Sequence, residues 1–177
     1  VALVLEITRM WFRSGLRGAL MLGFAAAGVL AHTIYLGKRA TESIGTPLSS
    51  GQIYDSNRYT IGAMLARLGC ESIDMGVVPD VPDALERAFA AAAASADVVI
   101  TSGGVSVGEA DYVKQLLDKL GEVVFWKIAM KPGRPLAYGR IGRAHFFGLP
   151  GNPASVMVTF YQFVREALLI LQGRTQI

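Results

Sequence analysis

The sequence predicts an α/β fold, a three-layer sandwich in which helices cover both faces of a mainly parallel sheet. Two observations carry this. Short apolar runs alternate with helical periodicities from residue 54 onward, the pattern of repeated strand–helix units. Hydrophobic residues make up 52% of the 177 positions and charged residues 18%. A core of useful size is therefore available, and a disordered or low-complexity chain is excluded. The 20 Gly and 7 Pro follow no repeat, which excludes a fibrous chain.

The elements follow in order. Ile61, Met64, Leu65 and Leu68 stand at i, i+3, i+4 and i+7, so the spacing predicts a helix over 55–68, stopped at Gly69. Cys70–Val78 reads as a strand and Pro79–Pro82 as a turn, with Pro82 in the first turn of an Ala-rich helix over 83–96. Leu85, Ala88, Phe89 and Ala92 share one face of that helix. Asp97–Thr101 is a short apolar strand, and a Gly loop leads from it to a helix from about Ala110 to Leu120. Strands are expected over 122–129, 135–140 and 144–147, and one long helix over 152–172.

Charge is unevenly placed. The chain has 17 Lys/Arg and 14 Asp/Glu, but residues 1–50 hold five of the former and two of the latter, leaving a neutral body. A neutral body is a poor nucleic-acid binder, so no nucleic-acid partner is expected. A single cysteine, Cys70, cannot form an internal disulfide, which points to a reducing compartment and a cytoplasmic protein. Val1 in place of an initiator Met is expected of a fragment.

Residues 1–42 are atypical. Gly18–Gly37 is a run of 20 residues without a formal charge, long enough to span a bilayer, with basic residues at both ends. It reads as a membrane-associated helix, as a buried soluble helix, or as sequence foreign to the body through a fusion or frame change. The domain is therefore drawn over residues 43–173, with 1–42 outside it, and the membrane question rests on residues 18–37.

Three segments are rich in Gly, Pro and polar residues at strand ends, where open α/β sheets bind ligands. The first is Thr101-Ser-Gly-Gly-Val-Ser-Val-Gly-Glu-Ala-Asp111. Its glycines let backbone N–H groups approach an anion at a helix N-terminus, and Glu109 and Asp111 beside a phosphate suit Mg²⁺. A tight turn with two carboxylates stabilising the helix dipole explains the same residues. The loop also matches a nucleophile elbow over Gly104–Gly108. However, His145 lies inside a strand, and no acid stands between Glu122 and Glu166 to orient it.

The second segment is Phe125-Trp-Lys-Ile-Ala-Met-Lys-Pro-Gly-Arg-Pro135. Between Val123 and Arg165 there are six basic residues and no acid, whereas Glu71–Asp111 has eight acids and one base. A cationic stretch opposite an acidic one suits a phosphorylated ligand with a metal, and solvated turn charge is the plain alternative. The third is Gly148-Leu-Pro-Gly-Asn-Pro-Ala-Ser155, where Asn152 is a natural N-cap and Pro153 a first helical residue.

Four motifs in register, GQIYDSN (51–57), SGGVSVGEADY (102–112), FWKIAMKPGRP (125–135) and GLPGNPAS (148–155), resemble the molybdopterin-binding domain of the MoeA and gephyrin family. The resemblance covers about residues 43–173. It implies a molybdopterin molybdenumtransferase, which uses Mg²⁺ to insert molybdenum from molybdate into adenylylated molybdopterin with release of AMP. Residue by residue, it implies a catalytic role for Asp111, Lys127 and Lys131, with Asp111 and Glu109 as metal ligands. Ser102, Gly103, Gly104, Ser106, Gly108, Arg134, Pro150, Gly151, Asn152, Pro153 and Ser155 would contact the pterin ligand. The partners implied are small molecules and, for a longer protein, further copies of itself.

One departure stands out. The family's domain opens with a strand ending in a T-G-D/N-E-like motif, but the residues before Ser43 read GKRATE. A MogA-type molybdopterin adenylyltransferase shares the fold, although GGVSVGEAD and KPGRP fit it less well. A scaffold module with an incomplete site also competes, as does, more distantly, a CinA-like domain.

Overall fold

The computed structural model describes residues 30–37, 41–42, 45, 47–50, 53–79, 81–104, 110–125 and 127–174. Its main sheet contains strands β1 (Leu30–Gly37), β4 (Glu71–Pro79), β5 (Val98–Ser102), β6 (Gly121–Phe125), β7 (Ala137–Ile141) and β8 (Ala144–Leu149), in the order β4-β1-β5-β8-β7-β6. β4, β1, β5 and β8 run parallel, and β7 returns antiparallel between β8 and β6. A two-residue ladder pairs β2 (Thr41–Glu42) with β3 (Ile53–Tyr54).

The helices lie on both faces. α1 (Asn57–Arg67) and the C-terminal helix share one apolar cluster, in which Ile61, Leu65, Val156, Phe160, Val164 and Leu168 pack on Val98, Ile100, Phe147 and Leu149. α2 (Pro82–Ser95) and α3 (Ala110–Leu120) build the other, with Leu85, Phe89, Val113 and Leu117 against Val99, Phe146 and Ala144. Val98 and Ile100 therefore face one layer and Val99 the other, the period-two alternation of a strand covered on both sides. α1 ends at Gly69, whose φ of +72° is the left-handed conformation that glycine adopts without a Cβ penalty.

The C-terminal helix is α4 (Pro153–Thr159), a π turn (Phe160–Val164) and α5 (Arg165–Leu171) in succession. Val156, Phe160, Val164 and Leu168 are buried at a strict spacing of four. An ideal α-helix would rotate such a series by about 40° per step. The wider π turn absorbs that drift and keeps the row on the sheet. Pro153–Leu171 is long and apolar enough to cross a membrane, but this buried row makes it a core helix.

The N-terminal part differs from expectation. Leu30–Gly37, inside the run read as an apolar helix, is an extended strand. It pairs with β4 from Leu30–Glu71 to Gly37–Pro79 and with β5 from Ala31–Val98 to Tyr35–Ser102. The sequence shows no opening strand ahead of residue 43, yet this strand lies between β4 and β5. Hydropathy alone does not separate a short apolar strand from a helix segment; here two parallel neighbours satisfy its backbone on both sides. Residues 18–29 of that run lie outside the described residues.

Candidate active site

The carboxyl ends of β5 and β8 lie at the same edge of the sheet. β6 leaves at that edge too, because two antiparallel steps restore its direction. All three loops singled out in the sequence therefore start from one rim, as expected for ligand sites in such sheets.

At the centre, β5 ends in Thr101 and Ser102, followed by Gly103 (φ +86°) and Gly104 (φ +70°); all four are buried. The Gly103 N–H donates to the Leu149 carbonyl across 3.1 Å, which ties the Gly loop to the end of β8. Two successive glycines with positive φ turn the chain sharply where a side chain would be strained. Ser106, Gly108 and Glu109 lie outside the described residues. Asp111 is in the first turn of α3.

The loop after β8 passes from buried Pro150 to exposed Gly151, Asn152 and Pro153. Asn152 caps α4 as expected, its Oδ1 accepting from the Ser155 N–H at 3.2 Å and from the Ser155 hydroxyl at 3.4 Å, while Pro153 takes the first helical position. Ser155 itself is buried.

These two loops are joined by a residue of α1. The Asn57 Nδ2 donates to Ser102 Oγ at 3.0 Å and to the Gly151 carbonyl at 2.8 Å. The Ser102 hydroxyl in turn donates to the Pro150 carbonyl at 3.1 Å. Its one proton is thus used inside the protein, and Ser102, 2% exposed, supports the loops from beneath. Asn57 belongs to GQIYDSN but carries no role in the sequence analysis, because an Asx residue at a helix start has a sufficient local explanation as a cap. Only its long-range bonds reveal more.

The cationic loop runs from Lys127 to Leu136. Buried Ile128 and Leu136 anchor its ends, and the Ile128 N–H donates to the Arg134 carbonyl at 3.0 Å. The Lys131–Pro132 peptide is cis, and Gly133 follows with φ +104°. Gly133 is buried, whereas Lys127, Lys131 and Arg134 are exposed. The loop is therefore pinned at its apolar ends and its glycine, with its three cations outward.

His145 is not part of this rim. It pairs with Val98 at the start of β5, whereas Ser102 pairs with Leu149 at its end. Four residues of strand separate the two, about 13 Å. The His145 Nδ1 lies 3.1 Å from the Tyr138 hydroxyl, and burial, then the charge of Arg140, lowers its pKa to about 4. It is a neutral packed strand residue, as the sequence indicates, and the nucleophile-elbow reading lacks its base. Among the described residues no cluster of three His, Cys, Asp or Glu is arranged to hold a metal.

Comparison with known proteins decides the family. The model of the family described as "Probable molybdopterin binding domain" matches residues 40–169. The chain belongs to the molybdopterin-binding domain family. This molybdopterin-binding domain is 57% identical over 133 residues to a molybdopterin molybdenumtransferase of Haemophilus influenzae, which covers 75% of the chain and 33% of that relative. It is 37% identical over 157 residues to gephyrin of Dictyostelium discoideum, covering 75% of the chain and 22% of the relative. A MoeA molybdopterin biosynthesis protein of Pyrococcus horikoshii has a solved structure that superposes with a TM-score of 0.74 at 35% identity, covering 83% of this chain and 36% of that one. The chain thus spans between about a fifth and about a third of the length of these relatives. The domain architecture, a mostly parallel sheet between helical layers, is the one expected from its sequence.

Proposed function

We propose that this domain performs molybdenum insertion in molybdenum cofactor biosynthesis, transferring metal from molybdate to adenylylated molybdopterin with release of AMP. The supporting observation is the common rim: the Gly loop, the GLPGNPAS turn and the cationic loop leave one sheet edge, and Asn57 bonds the first two together. The name of the Haemophilus influenzae relative at 57% identity supports the same reading.

The chemistry follows from the donors available. N–H groups of Gly103, Gly104 and the loop through Ser106 and Gly108 would hold the pterin phosphate, because such loops present several N–H dipoles to one anion. Lys127, Lys131 and Arg134 would draw the molybdate dianion and the AMP phosphate to the rim and offset their charge as they meet. Pro150, Gly151, Asn152, Pro153 and Ser155 would form the wall beside the pterin. Mg²⁺ would rest on Asp111 and Glu109, oxygen donors of the kind it requires, and would supply neutralisation of phosphate charge. Mg²⁺ usually keeps several waters and shares substrate phosphates, so phosphate oxygens and water would complete its shell. The lone thiol Cys70, buried and unpaired with another cysteine, supports a cytoplasmic location.

The test is product analysis with adenylylated molybdopterin, molybdate and Mg²⁺. AMP release dependent on molybdate is expected. Consumption of ATP with bare molybdopterin would instead make the domain an adenylyltransferase, and binding without AMP release would make it a scaffold.

A further inference from the structure

The Asn57 carboxamide sits where three separate parts of the chain meet: the start of α1, the end of β5 and the turn after β8. It is 7% exposed, and both its N–H donors are used, one by Ser102 Oγ and one by the Gly151 carbonyl. The Ser102 hydroxyl gives its proton to the Pro150 carbonyl and so can only accept from Asn57. Every partner of the Asn57 Nδ2 is therefore an acceptor. Its Oδ1 is buried and takes no hydrogen bond from the described residues. The amide orientation is set by the Gly151 carbonyl, since the flipped form would place Oδ1 2.8 Å from an oxygen that can only accept. The two loops it joins are also in near contact, because a Cβ on Gly151 would stand 3.8 Å from the Gly103 Cα.

We propose that Asn57 is a positioning residue of the molybdopterin site, a double donor that holds the Gly103–Gly104 loop and the Pro150–Gly151 turn at the separation the ligand needs. Its functional consequence rests on the reading under Proposed function. The physical reason lies in what each loop lacks on its own. Gly103, Gly104 and Gly151 have no side chains to lock their conformation, and glycine-rich backbone has the greatest freedom to lose. A buried amide that must donate twice supplies the missing constraint without touching the ligand. Asparagine is required because aspartate has the same shape and no donor; it would face Gly151 O and Ser102 Oγ with lone pairs alone. Loss of the clamp lets the phosphate-binding N–H groups spread, and misplacement of about 1 Å is enough to cost large factors in rate.

Asn57→Asp and Asn57→Ala test this with two readouts. The first is amide hydrogen exchange on the ligand-free protein. The proposal expects faster exchange in residues 101–104 and 149–152 and unchanged exchange in α2; unchanged exchange in both loops overturns the clamp. The second is steady-state AMP release, where KM for adenylylated molybdopterin should rise about tenfold to a hundredfold. Ser102→Ala removes one arm, and its effect on KM should be less than additive with Asn57→Ala. Faster exchange with KM unchanged overturns the positioning role, because it leaves Asn57 a structural bond alone. Failure of the wild-type protein to release AMP would count against the proposed function, and the exchange experiment would still decide the clamp.

Discussion

Gly133 lies so close to Thr159 that a Cβ on the glycine would stand 2.7 Å from the threonine methyl, and 2.7 Å from the Met130 methyl. This contact seats the cationic loop on α4, the helix that begins at the Asn152 cap. Lys131 and Arg134 flank the seat, so a loop leaving β6 is fastened to the helix that follows β8.

Gly133→Ala should therefore lower stability by about 1–3 kcal/mol through overpacking, with strain from the positive φ added. The flexible end of Met130 yields more easily than the stiff, β-branched Thr159. Thr159→Ser removes the offending methyl and keeps the hydroxyl that donates to the Ser155 carbonyl. In thermal melts the double variant should lose less than the sum of the singles. Strict additivity would show that this contact does not seat the loop.

A chain beginning at residue 43 lacks β1 and leaves β4 and β5 without their shared neighbour. β5 is buried throughout and would lose its backbone partners on one side, and β4 would lose the strand that joins it to the sheet. Unpaired buried backbone is costly, so the cooperative thermal transition should disappear. A sharp transition at the wild-type temperature would place residues 1–42 outside the folding unit after all.

His145 makes acid stability a readout of the β7–β8 pair. Its pKa is about 4 in the fold, below the ordinary 6.5, because it is buried and then because Arg140 is near. The unfolded chain thus binds a proton at a higher pH than the fold does. Stability falls as pH drops from about 6.5 toward about 4, by about 3 kcal/mol in all. Asn at this position does not titrate. The wild-type protein should lose more stability than His145→Asn in urea titrations across that window, and parallel curves would contradict the burial of a neutral imidazole.

The legible parts of the fold are those with strong period. The Ile61–Leu65 face, the Leu85–Phe89 face and the Asn152–Pro153 helix start all have local causes, and all sit where the sequence puts them. β1 is illegible because its stability comes from distant strands, not from the Ala- and Gly-rich run that contains it. Ala31, for example, pairs with Ser72 and Val98, 41 and 67 positions further along the chain. Asn57 and Gly133 escape notice for a related reason. One looks like a cap and the other like a turn glycine, and their further contacts, to Gly151 and Thr159, are tertiary. The motifs at the rim are visible as loops, whereas their common edge requires the strand order.

Lys127→Ala with Lys131→Ala tests the cationic loop. Both side chains are exposed, so the stability cost should stay within about 0.5 kcal/mol for each. Affinity for molybdate, measured by calorimetry at low salt, should fall markedly, because two of the three cations on the loop are removed. Unchanged affinity in the folded double variant would remove these lysines from the anion site.

The most direct measurement places residues 30–173, β1 included, in the Haemophilus influenzae molybdopterin molybdenumtransferase in place of the corresponding segment and follows AMP release from adenylylated molybdopterin. The wild-type segment should support release dependent on molybdate and Mg²⁺. Asp111→Asn in that segment should bind the pterin through the Gly loop but slow release by orders of magnitude, since Asn keeps the size and loses the charge a Mg²⁺ ligand needs. A folded chimera that releases no AMP, or one that releases it equally fast with Asn at 111, would contradict the account.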